Sequence, residues 1–339
     1  IFITRLIFQW RLEKKGVASF DNSITRGAFK NTAIDFLGKR KFFYGVSSLI
    51  ILIGIGSLVT KKLNYGVDFK GGRTFVVRFD EPVDNEAVRN SLADYFVDDS
   101  GLKMFPEVKT FGDDNQVKIT TKFLIESKEL TADMLVAEKL DNGLSGIGNY
   151  EIMSSQKVGP TIADDIKVSA LWSIMFSLLV IFLYILLRFR KWQFSLGAVA
   201  AVFHDVLIVL SIFSLFYGIL PFSLEIDQAF IAALLTIIGY SLNDTVVVFD
   251  RIREHMGIYK KKEFTSLVNN ALNSTLSRTV NTSLTTFFVL LVIFLFGGEV
   301  IRGFMFALMV GVIVGTYSSL FVASPIMVDT IKKSEIDKK

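Results

Sequence analysis

Gly239-Tyr-Ser-Leu-Asn-Asp-Thr-Val-Val-Val-Phe-Asp-Arg-Ile-Arg-Glu254 begins inside an apolar run and ends in a cluster of charge. The run from 228 to 249 is long enough to cross a bilayer as a helix. Asp244 therefore lies within a membrane-spanning segment. A carboxylate at that depth costs several kcal/mol. A chain retains such a group where it pairs, lines water or moves protons.

Five further apolar runs accompany it, at 42–60, 168–187, 194–217, 280–297 and 303–328. In a chain of 339 residues that is 51% hydrophobic, six spans describe a polytopic α-helical membrane protein. There is no cysteine, so disulfide and thiol chemistry are excluded. With His204 and His255 the only histidines, a histidine-rich metal centre is not expected, nor is any cofactor. No Walker motif is present, so nucleotide hydrolysis is not expected either. The chain reads as a coupling device, not an enzyme.

The net charge of +4 conceals an asymmetry. Residues 62–165 carry 12 Lys and Arg against 19 Asp and Glu, a net of −7, which leaves +11 elsewhere. The basic excess lies beside the spans, at 5–41, 188–191, 251–262 and 332–339. It sets orientation and does not point to nucleic acid. By the positive-inside rule both termini are cytoplasmic and the acidic segment faces outside. Six spans agree with two termini on one side.

Ile1 to Trp10 reads as the end of a preceding span, residues 1–12, on a longer polypeptide, with a short amphipathic surface helix as the alternative. A polar cytoplasmic linker follows at 13–41, then the first span at 42–60. Residues 62–165 form the one sizeable soluble domain. Arg73–Phe79 alternates as a strand, and Asn85–Phe96 has helical spacing. Two strands, 102–111 and 116–123, flank the turn at Gly112. A helix at 130–140 and a strand at 150–158 complete the order β-α-β-β-α-β, a ferredoxin-like α+β unit. The five-helix remainder runs from 166 to 330 and a cytoplasmic tail from 331 to 339.

Polar residues fall in stripes within the spans. Thr236, Tyr240, Asn243 and Asp244 share one helix face, as do Arg278, Asn281, Thr282 and Thr285. Both stripes are expected to face the bundle interior, because lipid does not solvate them. At ~1.5 Å per residue Asp244 lies ~24 Å from the outer end of its helix, level with Arg278. The two are expected to be able to meet. One reading is a static ion pair. The other is a titrating carboxylate tuned by the cation, since desolvation and a nearby positive charge oppose one another. His204-Asp205 in the third span admits either helix–helix hydrogen bonding or proton handling. His255 reads as a solvated loop residue. Small residues recur every four positions at Gly303, Ala307, Gly311, Gly315 and Ser319, and at Ser169, Ser173 and Ser177, a pattern for close helix packing.

With these motifs in view, the chain resembles the SecF family over about 29–330. Tyr65-Gly66-Val67-Asp68-Phe69-Lys70-Gly71-Gly72 is similar to the family signature after the first span. Val158-Gly-Pro160, Leu187-Arg-Phe189, His204-Asp205, Gly239-Tyr240-Ser241 through Glu254, and Ser277 to Thr282 follow in the family's order. Thr4 to Trp10 is similar to the end of SecD, which suggests the SecF half of a fused SecDF. The resemblance implies a fold of the resistance-nodulation-division (RND) superfamily. It implies a subunit that assists export through the Sec translocase of the bacterial inner membrane, driven by the proton gradient, with sodium as the alternative ion. The implied partners are SecD, the SecYEG channel, YajC and YidC, membrane lipid and the exported unfolded polypeptide. Asp244 and Arg278 match the family's proton-pathway positions, beside Asn243, Asp205 and His204. The Gly66–Gly72 signature reads as structural. An RND-type exporter of small molecules or lipids, and a non-coupling scaffold, are the alternatives.

Overall fold

The computed structural model describes residues 2–15, 32–98, 101–127, 131–259 and 262–331. The remaining linker and tail positions, 16–31 and 332–339, lie outside the described residues.

The leading segment is a helix, α1 (Phe2–Lys15). The described end of the linker at 13–41 is anchored to the bundle. Phe36 and Leu37 are fully buried, and the backbone N–H groups of Ile34 and Leu37 donate to Asn273 and Asn269. An apolar pair in a polar linker has a place to bury itself, and here it docks against the bundle.

Six helices are long and apolar enough to cross a membrane. They are α2 (Arg40–Thr60), α6 (Pro160–Phe189), α7 (Trp192–Phe216), α8 (Gln228–Ile258), α9 (Phe264–Phe296) and a composite sixth span. That last span starts at α10 (Glu299–Ser318), so Gly297 and Gly298 alone connect it to α9. It continues through a π-helical turn, Ser319–Ala323, into α11 (Ser324–Thr330). Pro325 lies just after the π turn. Proline has no N–H to offer the preceding turn, and a widened register accommodates that loss. The third and sixth spans form the centre, while α2, α6 and α9 lie at the periphery with most of their surface exposed.

Small residues let these helices approach closely. A Cβ on Gly54 would fall 1.8 Å from the Ser211 hydroxyl, and one on Gly197 2.5 Å from the Ala323 carbonyl oxygen. On the sixth span Gly311 meets Ile237 and Gly315 meets Ser241, so that stripe packs α10 on α8. The serine stripe of the second span behaves differently. Ser169 and Ser173 are exposed, on a helix that keeps only a few residues buried.

Between α2 and α6 lies the soluble domain. It comprises a one-turn helix α3 (Val67–Lys70), β1 (Gly72–Phe79), α4 (Asn85–Tyr95), β2 (Glu107–Phe111), β3 (Asp113–Thr121), α5 (Ala132–Ser145) and β4 (Tyr150–Val158). The sheet order is β2-β3-β1-β4 with all pairs antiparallel, the ferredoxin-like arrangement. Gly112, at φ +90°, joins β2 to β3 directly. The side-chain period of two divides the sheet. Phe75, Val77, Phe79, Val117 and Ile119 face α4 and α5, which supply Val88, Leu92, Phe96, Val136, Leu140 and Leu144. The opposite face, with Thr74, Val76, Lys118, Ser154 and Gln156, looks onto the mouth of the bundle across a 130 Å³ cavity.

Candidate intramembrane site

Asp244 is buried on α8 with 4% exposure. Among its hydrogen bonds is one from the Ser283 hydroxyl on α9 at 3.3 Å. Ser283 in turn accepts from Thr316 of α10 at 2.6 Å, so three helices meet at the carboxylate. Ser283 and Thr316 were not singled out by sequence. Their signal was only that of hydroxyl residues inside apolar helices.

Of the two readings of Arg278, the static ion pair is not formed among the described residues. The charge of Arg278 acts on Asp244 through space, but among the described residues no salt bridge joins the two. Arg278 is exposed on α9, and so are Asn281, Thr282 and Thr285. On α8, Thr236, Gly239 and Asn243 are exposed too, and Tyr240 is half-buried with its hydroxyl donating to Thr286 at 3.2 Å. Apart from the buried Asp244, the two polar stripes thus lie along one flank outside the six-helix bundle instead of inside it. The reason is helix rotation. The inner face of α8 is taken by Ala233, Ile237, Ser241 and Val248, which meet α7 and the glycines of α10. With ~100° between successive residues, Asp244 falls at the edge of that face and Asn243 beyond it.

His204 and Asp205 lie on the opposite side of α8, deep within the bundle. Asp205 is 1% exposed. Its Oδ2 accepts from Ser241 of α8 at 2.6 Å and from Ser318 of α10 at 2.8 Å. Its Oδ1 lies 3.0 Å from Nδ1 of His204. The other ring nitrogen of His204 shares a 3.1 Å hydrogen bond with Ser47 of α2, which shares one at 2.9 Å with the Tyr317 hydroxyl. Four helices therefore converge on one carboxylate–imidazole pair. Ser241 thereby acquires a definite partner, whereas Asp205 and Asp244 have no hydrogen bond in common.

The Tyr65–Gly72 segment is a joint between span and domain. The Gly66 N–H donates to the Ile226 carbonyl at 2.9 Å, and Phe69 is buried. Asp68 accepts from the Gln156 side chain of β4 at 2.7 Å and from the backbone N–H of Gln228, at the start of α8, at 2.9 Å. Gly71 (φ +68°) and Gly72 (φ +146°) adopt conformations that other residues rarely reach. A Cβ on Gly72 would lie 3.1 Å from the Thr121 carbonyl oxygen. Nearby, Lys118 of β3 pairs with Glu225 ahead of α8.

At the other end of the bundle the charge cluster resolves into pairs. Asp250 binds Arg188 at 3.0 Å and Arg253 at 2.8 Å, and Arg251 binds Glu254 at 2.7 Å. His255 is not a solvated loop residue. It is 8% exposed within α8, because that helix runs to Ile258 and turns the residue inward.

These features define a multi-pass membrane protein with a ferredoxin-like domain inserted after its first span and a buried carboxylate beside a polar flank. Residues 139–333 match the family model for the C-terminal region of the protein-export membrane proteins SecD and SecF, and residues 56–83 match that of the SecD/SecF GG motif. The protein translocase subunit SecF of Rhodothermus marinus is 48% identical over 302 residues, covering 89% of this chain and 94% of that protein. SecF of Thermodesulfovibrio yellowstonii is 40% identical over 91% of this chain and 98% of its own length. The crystal structure of SecDF from Thermus thermophilus, described as translocon-associated, superposes with a TM-score of 0.78 at 30% identity. That match covers 95% of this chain but 41% of the SecDF chain. The chain belongs to the SecD/SecF family of protein-export membrane proteins, on its SecF side, and so to the accessory subunits of the Sec pathway.

Proposed function

We propose that the chain couples an ion gradient to protein export, acting with a SecD half beside the SecYEG channel of the bacterial inner membrane. YajC and YidC are further partners in this reading, lipid surrounds the bundle, and the exported polypeptide engages the outer side. The ion is the proton, with sodium the alternative. Both ends of the segment are cytoplasmic and the ferredoxin-like domain lies outside.

The observation that carries the reading is the position of Asp244. It is a buried intramembrane carboxylate held by a neutral hydroxyl, with Arg278 near and, among the described residues, in no salt bridge with it. A static ion pair would satisfy both charges and hold them. An unpaired arrangement leaves the carboxylate free to change state, and Asn243 and Arg278 flank it on the exposed side. Exposed polar groups at membrane depth require a second protein surface, and a SecD half covering this flank supplies one. The coupling site is then completed at the interface of two halves.

The test is gradient-dependent completion of export in membrane vesicles at saturating ATP. Asp244→Asn, at wild-type membrane levels of the full complex, is expected to lose the gradient-dependent part. Unchanged export with an assembled complex would leave a scaffold role instead.

A further inference from the structure

A cleft of about 580 Å³ opens between α2, α7 and the end of the sixth span. Its polar lining runs in sequence from Asp329 and Thr330 at the end of α11, past Tyr44, Ser48 and Ser47 of α2, to His204. At ~1.5 Å per residue, Ser47 lies ~10 Å and His204 ~18 Å from the cytoplasmic starts of their helices. The rim is charged. Arg40 pairs with Asp329 at 2.9 Å, and the Tyr44 hydroxyl donates to Asp329 at 3.2 Å. Polar groups thus extend from the membrane edge to an imidazole whose far nitrogen contacts the buried Asp205.

We propose that His204 and Asp205 form a second proton-binding station, loaded and unloaded from the cytoplasmic side through this cleft. The inference rests on the ion-coupling reading above and adds a site separate from Asp244. A proton arrives at Nε2 of His204 by way of the Ser47 hydroxyl. The Nδ1 proton passes to Oδ1 of Asp205. The ring is then neutral with its proton on Nε2, and Asp205 is a carboxylic acid. The reverse transfer returns the Asp205 proton to Nδ1 and releases the Nε2 proton to the cleft, so no other reactant is needed.

The station has a way to act on the rest of the bundle. Oδ2 of Asp205 holds Ser241 of α8 and Ser318 of α10. A neutral acid is a weaker acceptor than a carboxylate. Ser241 is one helical turn from Asp244, and Ser318 two residues from Thr316, which binds Ser283 at that same carboxylate. Loading Asp205 therefore loosens α8 and α10, two of the three helices that meet at the first site. The charged and titratable groups around the station are Arg40 and Tyr44 on α2, Tyr317 and Asp329 on the sixth span, and Asp205 itself. The facing residue of α8 is the neutral Ser241.

The experiment uses the full complex in vesicles at a constant gradient, with the pH on the cytoplasmic face varied. Wild type is expected to change its gradient-dependent export by up to about tenfold per pH unit near the station's midpoint, the limit for one proton. His204→Gln should flatten that dependence to less than about twofold, and Tyr317→Phe, which removes only a hydroxyl, should shift it. His255→Gln should leave it intact. With His255→Gln in place, His204 is the one imidazole of this chain, so selective ¹⁵N-histidine labelling of this subunit reads its titration directly. Asp205→Asn should move that midpoint. An assembled His204→Gln complex with wild-type pH dependence overturns the proposal, as does an imidazole that does not titrate between about pH 5 and 9. If Asp244→Asn abolishes coupling while His204→Gln keeps the wild-type pH dependence, the station falls and the coupling reading stands. If neither has an effect, both fall.

Discussion

Gly315→Ala tests whether the contact between α8 and α10 holds Asp205 in place. A Cβ at 315 would lie 2.9 Å from Ser241 Cβ and 3.2 Å from its hydroxyl oxygen. Carbon atoms settle at ~3.5–4.0 Å, so the helices must part by ~0.6–1.1 Å. The Ser241 hydroxyl now sits 2.6 Å from Asp205. Where the shift is directed away from Asp205, it takes the hydroxyl to at most ~3.2–3.7 Å, at or past the limit of a hydrogen bond. Overpacking contributes ~1–3 kcal/mol and a weakened bond to a charged acceptor up to ~1.5–3 kcal/mol. The expected loss is therefore ~1–6 kcal/mol, read as denaturant unfolding of the complex in detergent. Ser241→Gly removes the clashing Cβ and leaves Cα as the next neighbour, 3.3 Å away. Combined with Gly315→Ala it should be at least ~1 kcal/mol less damaging than the two changes added. Gly56→Ala, where a Cβ meets nothing within 4 Å, serves as the neutral control. Strict additivity of the pair, or a Gly315→Ala protein within ~0.5 kcal/mol of wild type, would refute the reasoning.

Other consequences concern the joint between domain and bundle. Burial, reinforced by Asp68 and Glu225, raises the pKa of Asp227 above its ordinary 3.8, with the Phe230 N–H and Lys118 opposing. The folded state then binds the proton more tightly than the unfolded one, so stability falls as pH rises from 3.8 through the raised value. Asp227→Asn keeps the cap on the Phe230 N–H and should remove that loss, giving a protein more stable than wild type at neutral pH in unfolding measured across pH. Glu225→Gln leaves Lys118, 19% exposed, without its anionic partner. It should cost ~1–3 kcal/mol, seen as faster hydrogen exchange in β3. Gly72→Ala imposes a Cβ at φ +146° against the Thr121 carbonyl. It should cost ~1–3 kcal/mol in thermal unfolding of the domain.

Much of the architecture was present in the sequence because its signals are local. A bilayer demands long apolar runs, and six of them were countable. Alternation in Arg73–Phe79 and helical spacing in Asn85–Phe96 need only nearest neighbours to be read. Gly71-Gly72 and Asp244 stood out because positive φ and intramembrane charge are each costly wherever they occur. What tertiary structure alone decided was rotation and partnership. The polar stripes of α8 and α9 were legible, but the direction they face follows from Ile237 and Ser241 seating against Gly311 and Gly315, residues some seventy positions away. That contact turns Asn243 outward, and among the described residues no ion pair joins the exposed Arg278 to Asp244. Likewise His204-Asp205 was visible as a dipeptide, while its cage draws Ser47, Ser241, Ser318 and Tyr317 from three other helices. Hydropathy places a residue at a depth in the membrane. Only packing selects which neighbour it meets there, because a helix can turn about its axis without changing the apolar length it presents to lipid.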